Sequence, residues 1–451
     1  MQDDCHCEIR LKWRLEFSQA MILLVALVLG ILYVSTVWLL VRNFLLAWIL
    51  VLVASCSSYA FGAFAIVLIN IHIYPLDFLD VCLLSAGIIR FRFQDLKLST
   101  LYILVGGYLL LFALSVARGL ATFDLATVGN EGRGLIGEVL ALTYFTTIPY
   151  DRKIIKEIVI AQIAFSTALV LICILHFAGL PIGGVVGITN GQKIYDTGAI
   201  DRGLPAGAAA SIELSVLFAA SWATYRKHTR WLPWLIGIFI PTVILMQHRS
   251  VWAMLVVTLV AAWLIDVKVT QYLWKIGGAV AVIASIVIFS YIGLRSNLTE
   301  EFKYSTTNTG TLQWRIEGWI DSVSADQSPL SVLIGLPIGS GYLRLDSGAG
   351  GYTNFPPHNE IVNQYLRVVV IGAVIIILFM LRPIYIYFRD PDSGSLLYPT
   401  PTSWILVTIG VIVFGIPYSF SLELFALVAM ANRILEPSPE GSINRAYLLQ
   451  S

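Results

Sequence analysis

Apolar residues in this chain come in long runs, near 20–41, 44–71, 76–91, 98–120, 134–149, 154–177, 205–225, 231–246, 250–267, 272–292, 360–382 and 402–433. Polar residues gather in short islands between them. A bilayer core takes about 20 apolar residues per helix. The pattern therefore predicts an all-α fold, a polytopic transmembrane helical bundle of about 12–14 helices. Pro417 interrupts the last run and predicts two short helices there. Two connections are long: a glycine-rich one over about 178–204 and another over about 293–359. The chain thus divides into N-terminal membrane helices (1–292), an outer loop with short interfacial helices (293–359), and C-terminal helices with a tail (360–451).

Composition sharpens this reading. Of 451 residues, 57% are apolar and 13% charged, with a mean hydropathy of +0.80. That is about half the ~25% charge of a soluble domain, too little to cover a water-soluble fold. A net charge of +1 without a basic stripe argues against nucleic-acid binding. No cleavable signal peptide is evident, because the apolar start after Phe17 runs on into further hydrophobic chain. Cys5, Cys7, Cys56, Cys82 and Cys173 give no disulfide framework, since the last three lie in or beside apolar runs. Cys5-His6-Cys7 can be drawn as a metal site but reads first as a loose tail. Asn297-Leu298-Thr299 has the glycosylation spelling, which has meaning only in a eukaryotic secretory setting.

Lys and Arg set the expected orientation. The clusters Arg90/Arg92/Lys97, Arg152/Lys153/Lys156, Arg226/Lys227/Arg230, Lys268/Lys275 and Arg382/Arg389 fall at alternate connections when the runs from 76 onward are single crossings. This puts those connections inside, both long loops outside and the C-terminus inside. The first 75 residues leave two arrangements. Arg10, Lys12 and Arg14 want the N-terminus inside, which needs an odd number of crossings before His72. Either the 44–71 run is two short helices broken at Ser55–Ser58, the preferred reading, or the N-terminus is outside.

Polar residues that survive in such a chain carry the functional information. The outer helix ends hold Arg202, His248-Arg249 and Pro357-His358-Asn359, while Arg315 lies in the long outer loop. A histidine and several arginines facing one compartment suggest a site for a phosphate-bearing ligand, because the guanidinium fork suits phosphate oxygens. Any single arginine there could merely snorkel to headgroups, but outer ends should be poor in arginine under the positive-inside bias. In the long loop, Trp314, Ile316, Trp319 and Asp321 predict a short interfacial helix. Gly335–Gly341 could cradle a phosphate but reads more simply as a turn. Arg367 lies nine residues after His358; at ~100° per residue it faces the opposite side of that helix. It is expected to be structural, paired with a buried carboxylate from Glu213 or Glu423.

Together these residues resemble the O-antigen ligase and polymerase superfamily of bacterial envelope proteins. Arg315 and Trp319 match its Arg-x-x-x-Trp helix, Pro329, Gly335, Gly339 and Gly341 its following Pro and Gly-x-Gly turn, and His358-Asn359 its outer His-Asn. Gly372 falls at a later family glycine. Arg202-Gly203 and Gln247-His248-Arg249-Ser250 look like its other outer arginines. The resemblance covers roughly 195–435. It departs where the family commonly has Glu and Gly, nine and eleven residues after the histidine; here these are Arg367 and Val369. Leu336-Pro337 also lengthens the Gly335–Gly341 stretch.

The resemblance implies a glycosyltransferase without a metal or other cofactor, in the bacterial inner (cytoplasmic) membrane with its site facing the periplasm. It would move a glycan from an undecaprenyl-pyrophosphate carrier to a sugar hydroxyl on a lipid A-core or lipid-linked acceptor. His358 would activate the acceptor, Arg202 and Arg249 would hold the donor pyrophosphate, and Arg315 and Asn359 would line the site. The chemistry is self-consistent. Placed arginines stabilise charge that builds on a leaving pyrophosphate, and neutral imidazole is a suitable base near pH 7. A helix start beside arginines disfavours the charged imidazole. The competing class is a transporter or flippase, for which Glu213, Glu423 and His176 in or beside apolar runs would be the marks. A scaffolding subunit would explain the hydrophobicity but not the arginine–histidine group.

Overall fold

The computed structural model describes residues 27–61, 66–68, 71–73, 75–93, 99–183, 185–189, 192–195, 202–225, 230–277, 310–324, 331, 334–344, 351–353, 357–390 and 397–436. Cys5-His6-Cys7, Asn297, Arg226-Lys227 and the later part of the 272–292 run lie outside these residues. The regular structure of the described chain is helical apart from three small antiparallel hairpins, which pair 66–68 with 71–73, 185–189 with 192–195, and 342–344 with 351–353.

The helices are α1 (Leu27–Arg42), α2 (Phe44–Phe61), α3 (Pro75–Phe93), α4 (Thr100–Thr122), α5 (Leu125–Leu140) and α6 (Arg152–Phe177). Then come α7 (Ala206–Tyr225), α8 (Leu232–Leu245), α9 (Arg249–Ile265), α10 (267–277) and α11 (Gly310–Ser324). The last three are α12 (Glu360–Arg389), α13 (Pro401–Gly415) and α14 (Leu422–Ile434). Five of them, α2, α4, α6, α7 and α12, are long and apolar enough to cross a membrane. Where the interfacial helix was expected around Trp314–Trp319 the chain forms a helix, α11, which leaves Ile316, Ile320 and Val323 exposed. The two short helices expected around Pro417 are α13 and α14.

Two sequence readings are corrected. The 44–71 run is not two helices broken at Ser55–Ser58. One helix, α2, runs through those serines to Phe61, and a hairpin follows. The serines do not break it because Ser55 Oγ donates to Glu423 Oε2 at 3.0 Å, so a polar side chain there has an interior partner. Tyr59, a turn on, donates to the other oxygen of the same carboxylate. The second correction concerns the stretch before 134, read as an outer connection. α5 begins at Leu125, capped by Asp124, whose carboxylate accepts from Thr127 N at 2.9 Å. Glu131 and Arg133 kept this turn out of the apolar pattern, yet both are held: Arg133 pairs with Asp77 at 2.9 Å, and Glu131 with Arg367.

α7 sits at the centre, with every residue from Ala208 to Trp222 buried. It packs against α6, α8, α9 and α13. Farther out, α4, α6, α9 and α12 turn large apolar side chains outward, including Ile103, Leu110, Leu171, Val260, Trp263 and Ile371. Contacts mark the two ends of the bundle. At one end Arg90 donates to Val41 O at 2.8 Å, and Arg382 pairs with Glu436 at 3.0 Å. Lys268 lies over the Tyr225 ring at 5.9 Å in the same region of helix ends. At the other end the starts of α7, α9, α12 and α14 converge.

Candidate functional site

Hydrogen bonds and close approaches tie those four helix starts together. His248, the residue before α9, donates from Nε2 to Leu204 O, ahead of α7, at 2.8 Å. At the start of α7, a Cβ on Gly207 would lie 2.9 Å from the Tyr59 hydroxyl and 3.8 Å from Ser421 Oγ, ahead of α14. Glu360, the first residue of α12, accepts from Phe420 N at 3.1 Å. The α13–α14 connection is thereby fixed beside the turn that carries His358.

α11 closes this end. Arg315 and Trp319 are four residues apart, so they share one helix face. The Arg315 guanidinium stacks over Tyr418 at 4.6 Å and donates to Pro417 O and Tyr418 Oη, both at 3.3 Å. Trp319 Nε1 donates to Pro357 O. The Arg-x-x-x-Trp spacing is thus a clamp: one side chain holds the turn before α14 and the other the turn before α12. Tyr418 is the hub. Phe414 stacks on its ring at 5.1 Å, and the half-buried His358 meets its edge at 6.4 Å.

Arg202, Arg315 and His248 come close together. Burial pushes the His248 imidazole down to about 3; its bond to Leu204 works the other way, and the charges of Arg202 and Arg315 push it further down. Arg249 follows it directly. The structure therefore gathers Arg202, Arg315 and His358 at one end of the bundle, with Arg249 next to the cluster. Asn359 opens α12 as its cap. Its Oδ1 accepts from Val362 N at 3.0 Å and caps α12, so that oxygen is committed to the helix. Tyr418 was missed, although its neighbour Pro417 marked the turn.

Gly335–Gly341 is no phosphate cradle; it is a wedge in a broken helix. α12 loses helical geometry at Val368 and Val369, the latter with φ 70° and ψ 170°. The loop enters there. Leu336 N donates to Leu366 O at 2.7 Å, and a Cβ on Gly335 would come 2.9 Å from Arg367 O. Arg118 donates to Ile334 O and Gly335 O at 2.7 and 2.9 Å. Ile338 packs against Val128 and Leu135 of α5. Arg367, fully buried, donates to Pro337 O at 3.0 Å, Ser340 Oγ at 2.7 Å and Gly341 O at 2.8 Å, and lies 4.1 Å over the Tyr342 ring. Its ionic partner is Glu131, which also accepts from Gly341 N at 2.7 Å. Arg367 is thus structural and carboxylate-paired as expected, but neither Glu213 nor Glu423 is the partner. Thr258 donates to Glu213 at 3.0 Å, and Ser55 and Tyr59 hold Glu423.

Below the site, Gln364 Nε2 donates to Glu360 Oε1 at 2.7 Å and to Glu138 Oε2, and Tyr108 donates to Gln364 Oε1 at 2.9 Å. A cavity of about 110 Å³ opens beside this network and continues between α12 and α13, lined by Ile376, Met380, Ile412 and Phe420. Among the described residues no group of three His, Cys, Asp or Glu side chains is placed to hold a metal ion. Gln247 and His358 share one more property: both have left-handed backbone, with φ 54° and 42°. Non-glycine residues rarely adopt it, and it concentrates at functional sites. Compared with known proteins, the chain matches no family model, and no curated protein matches it.

Proposed function

We propose that this protein is a polytopic glycosyltransferase of the bacterial inner membrane, of the O-antigen ligase or polymerase kind, working at its periplasmic face on an undecaprenyl-pyrophosphate-linked glycan. One observation carries the reading: Arg202, Arg315 and His358 lie at one end of the bundle, His358 and Arg315 on the same Tyr418 ring. In the reaction the acceptor hydroxyl oxygen bonds to the anomeric carbon while the bond from that carbon to the pyrophosphate oxygen breaks. The leaving oxygen takes the electron pair, beside arginine charge already in place. His358 takes the hydroxyl proton. The apolar cavity between α12 and α13 supports the reading, since a polyprenyl carrier needs an apolar path into the bundle.

The test is transfer by the purified full-length protein in lipid nanodiscs, from a lipid-linked donor to an acceptor glycan. His358→Ala should lower transfer by about 10²–10⁴-fold while the protein stays folded. Near-normal transfer by that variant would remove His358 from the chemistry. One observation favours a transporter instead: a broken helix with a buried charge is a mark of that class, and α12 has both. Here the protein's own loop and Glu131 take up the broken backbone and the charge. Substrate uptake into proteoliposomes without transfer would favour the transporter. Within the enzyme reading, the acceptor separates the two kinds: a lipid A-core for a ligase, a second lipid-linked unit for a polymerase.

A further inference from the structure

Three non-glycine residues among those described have left-handed backbone: Gln247, His358 and Val369. Val369 belongs to the wedge in α12, and His358 is the proposed base. Gln247 has neither role. It closes the turn between α8 and α9, with its backbone N–H donating to Ile244 O at 3.1 Å. Glycine or asparagine would hold that turn with less strain, so the local fold does not call for glutamine. The residue is 2% exposed, and neither its Nε2 nor its Oε1 has a hydrogen-bond partner among the described residues. A buried amide unmet at both ends opposes folding unless something binds it.

Its surroundings show where such a partner would come from. The next residue, His248, lies in the field of Arg202 and Arg315, and Arg249 follows. Ser250 Oγ, three residues from Gln247, is also buried without a hydrogen-bond partner among the described residues, as is Arg315 Nε. Unmet buried atoms occur elsewhere in the bundle too, but these three side chains lie in or beside the arginine cluster.

We infer that Gln247 is a ligand-binding residue that recognises the sugar joined to the diphosphate; the inference rests on the function proposed above. The donor–acceptor inventory makes the choice. Arginine only donates, and phosphate oxygens of the diphosphate accept, so those two match. An amide offers two N–H donors and an acceptor oxygen. A diphosphate could satisfy Nε2 but would leave Oε1 unmet. Neighbouring sugar hydroxyls, or an acetamido group, supply both a donor and an acceptor. The diphosphate then lies on the arginines and the first sugar on Gln247, with Ser250 beside it.

The experiment measures binding of two probes to the full chain in nanodiscs: undecaprenyl pyrophosphate, and the same lipid carrying one N-acetylhexosamine. Wild type should prefer the sugar-bearing lipid by about 10-fold, the scale of one or two hydrogen bonds. Gln247→Ala should lose that preference and bind the bare lipid within about twofold of wild type, a loss of roughly one bond set and no charge. Gln247→Gly should behave the same way, and without lipid it should unfold at a higher temperature than wild type, because strain and an unmet amide are both removed. Retention of the sugar preference by either variant would overturn the inference. So would a lower unfolding temperature for Gln247→Gly, since the amide would then be structural. Those results leave the proposed function standing. A wild type that binds neither lipid overturns both.

Discussion

Burying an imidazole in the field of two arginines gives the protein a pH signature at one residue. His248 titrates at about 3 when folded and near 6.5 when unfolded. Between those values the unfolded chain holds one more proton, so stability rises with pH through this window and falls as the solution is acidified. Above about 6.5 both states hold a neutral ring and the contribution is constant. The slope is at most about 1.4 kcal/mol per pH unit. In His248→Gln, where an amide N–H can still donate to Leu204 O, thermal unfolding should depend less on pH between 4 and 6.5. An unaltered dependence would place the acid sensitivity in other groups. At this scale the sequence exposed the arginines and histidines of the site and hid Tyr418 and Glu131. Arg202, Arg249, Arg315 and His358 stand out because charge is rare at outer helix ends. Tyr418 is one of 20 tyrosines, and nothing in its spacing separates it from the rest. Glu131 was hidden for a different reason: its own charge made the first turns of α5 look like loop.

Hydropathy gave the start of α12, but neither its break nor its end, which lies at Arg389, past the 382 where the apolar run stops. Neither glycine nor proline occupies 368 or 369, and valine is costly at φ 70°. The break is imposed from outside, by a loop that supplies Leu336 N to Leu366 O and is itself held by Arg118 and Arg367. Removing Arg367 would leave the Glu131 carboxylate buried without its cation, together with the carbonyls of Pro337 and Gly341. Truncating one member of such a pair costs about 3–5 kcal/mol. Arg367→Met should therefore yield little folded protein. Adding Glu131→Gln should recover part of the loss, since the buried charge goes with its partner. Recovery is read as the unfolding temperature and the yield of monodisperse protein. If both variants were as stable as wild type, the wedge would stand without its ion pair.

For the whole molecule, the helical class and most helix positions were legible because long apolar runs leave a chain few alternatives. The 44–71 run was misread because serine in a strip of apolar residues looks like an interruption until Glu423, 368 residues from Ser55, is known to meet it. Long-range partners of this kind have no local signature. They also bear on how the protein is made. α7 carries Glu213, is the least hydropathic of the five candidate spans, and turns almost none of its surface outward. A carboxylate near the centre of a helix costs about 2.5–3.5 kcal/mol during translocon-mediated insertion, and α7 has little lipid-facing surface to offset it. On the membrane-spanning reading proposed above, its entry into the bilayer depends on neighbours that are already there or still to be synthesised. Excised and placed in an insertion reporter, α7 should integrate far less efficiently than α6, and Glu213→Leu should restore it. Efficient integration of the isolated wild-type segment would show that it enters on its own. Otherwise biogenesis waits on assembly: the central helix is admitted to the membrane by the bundle it later holds together.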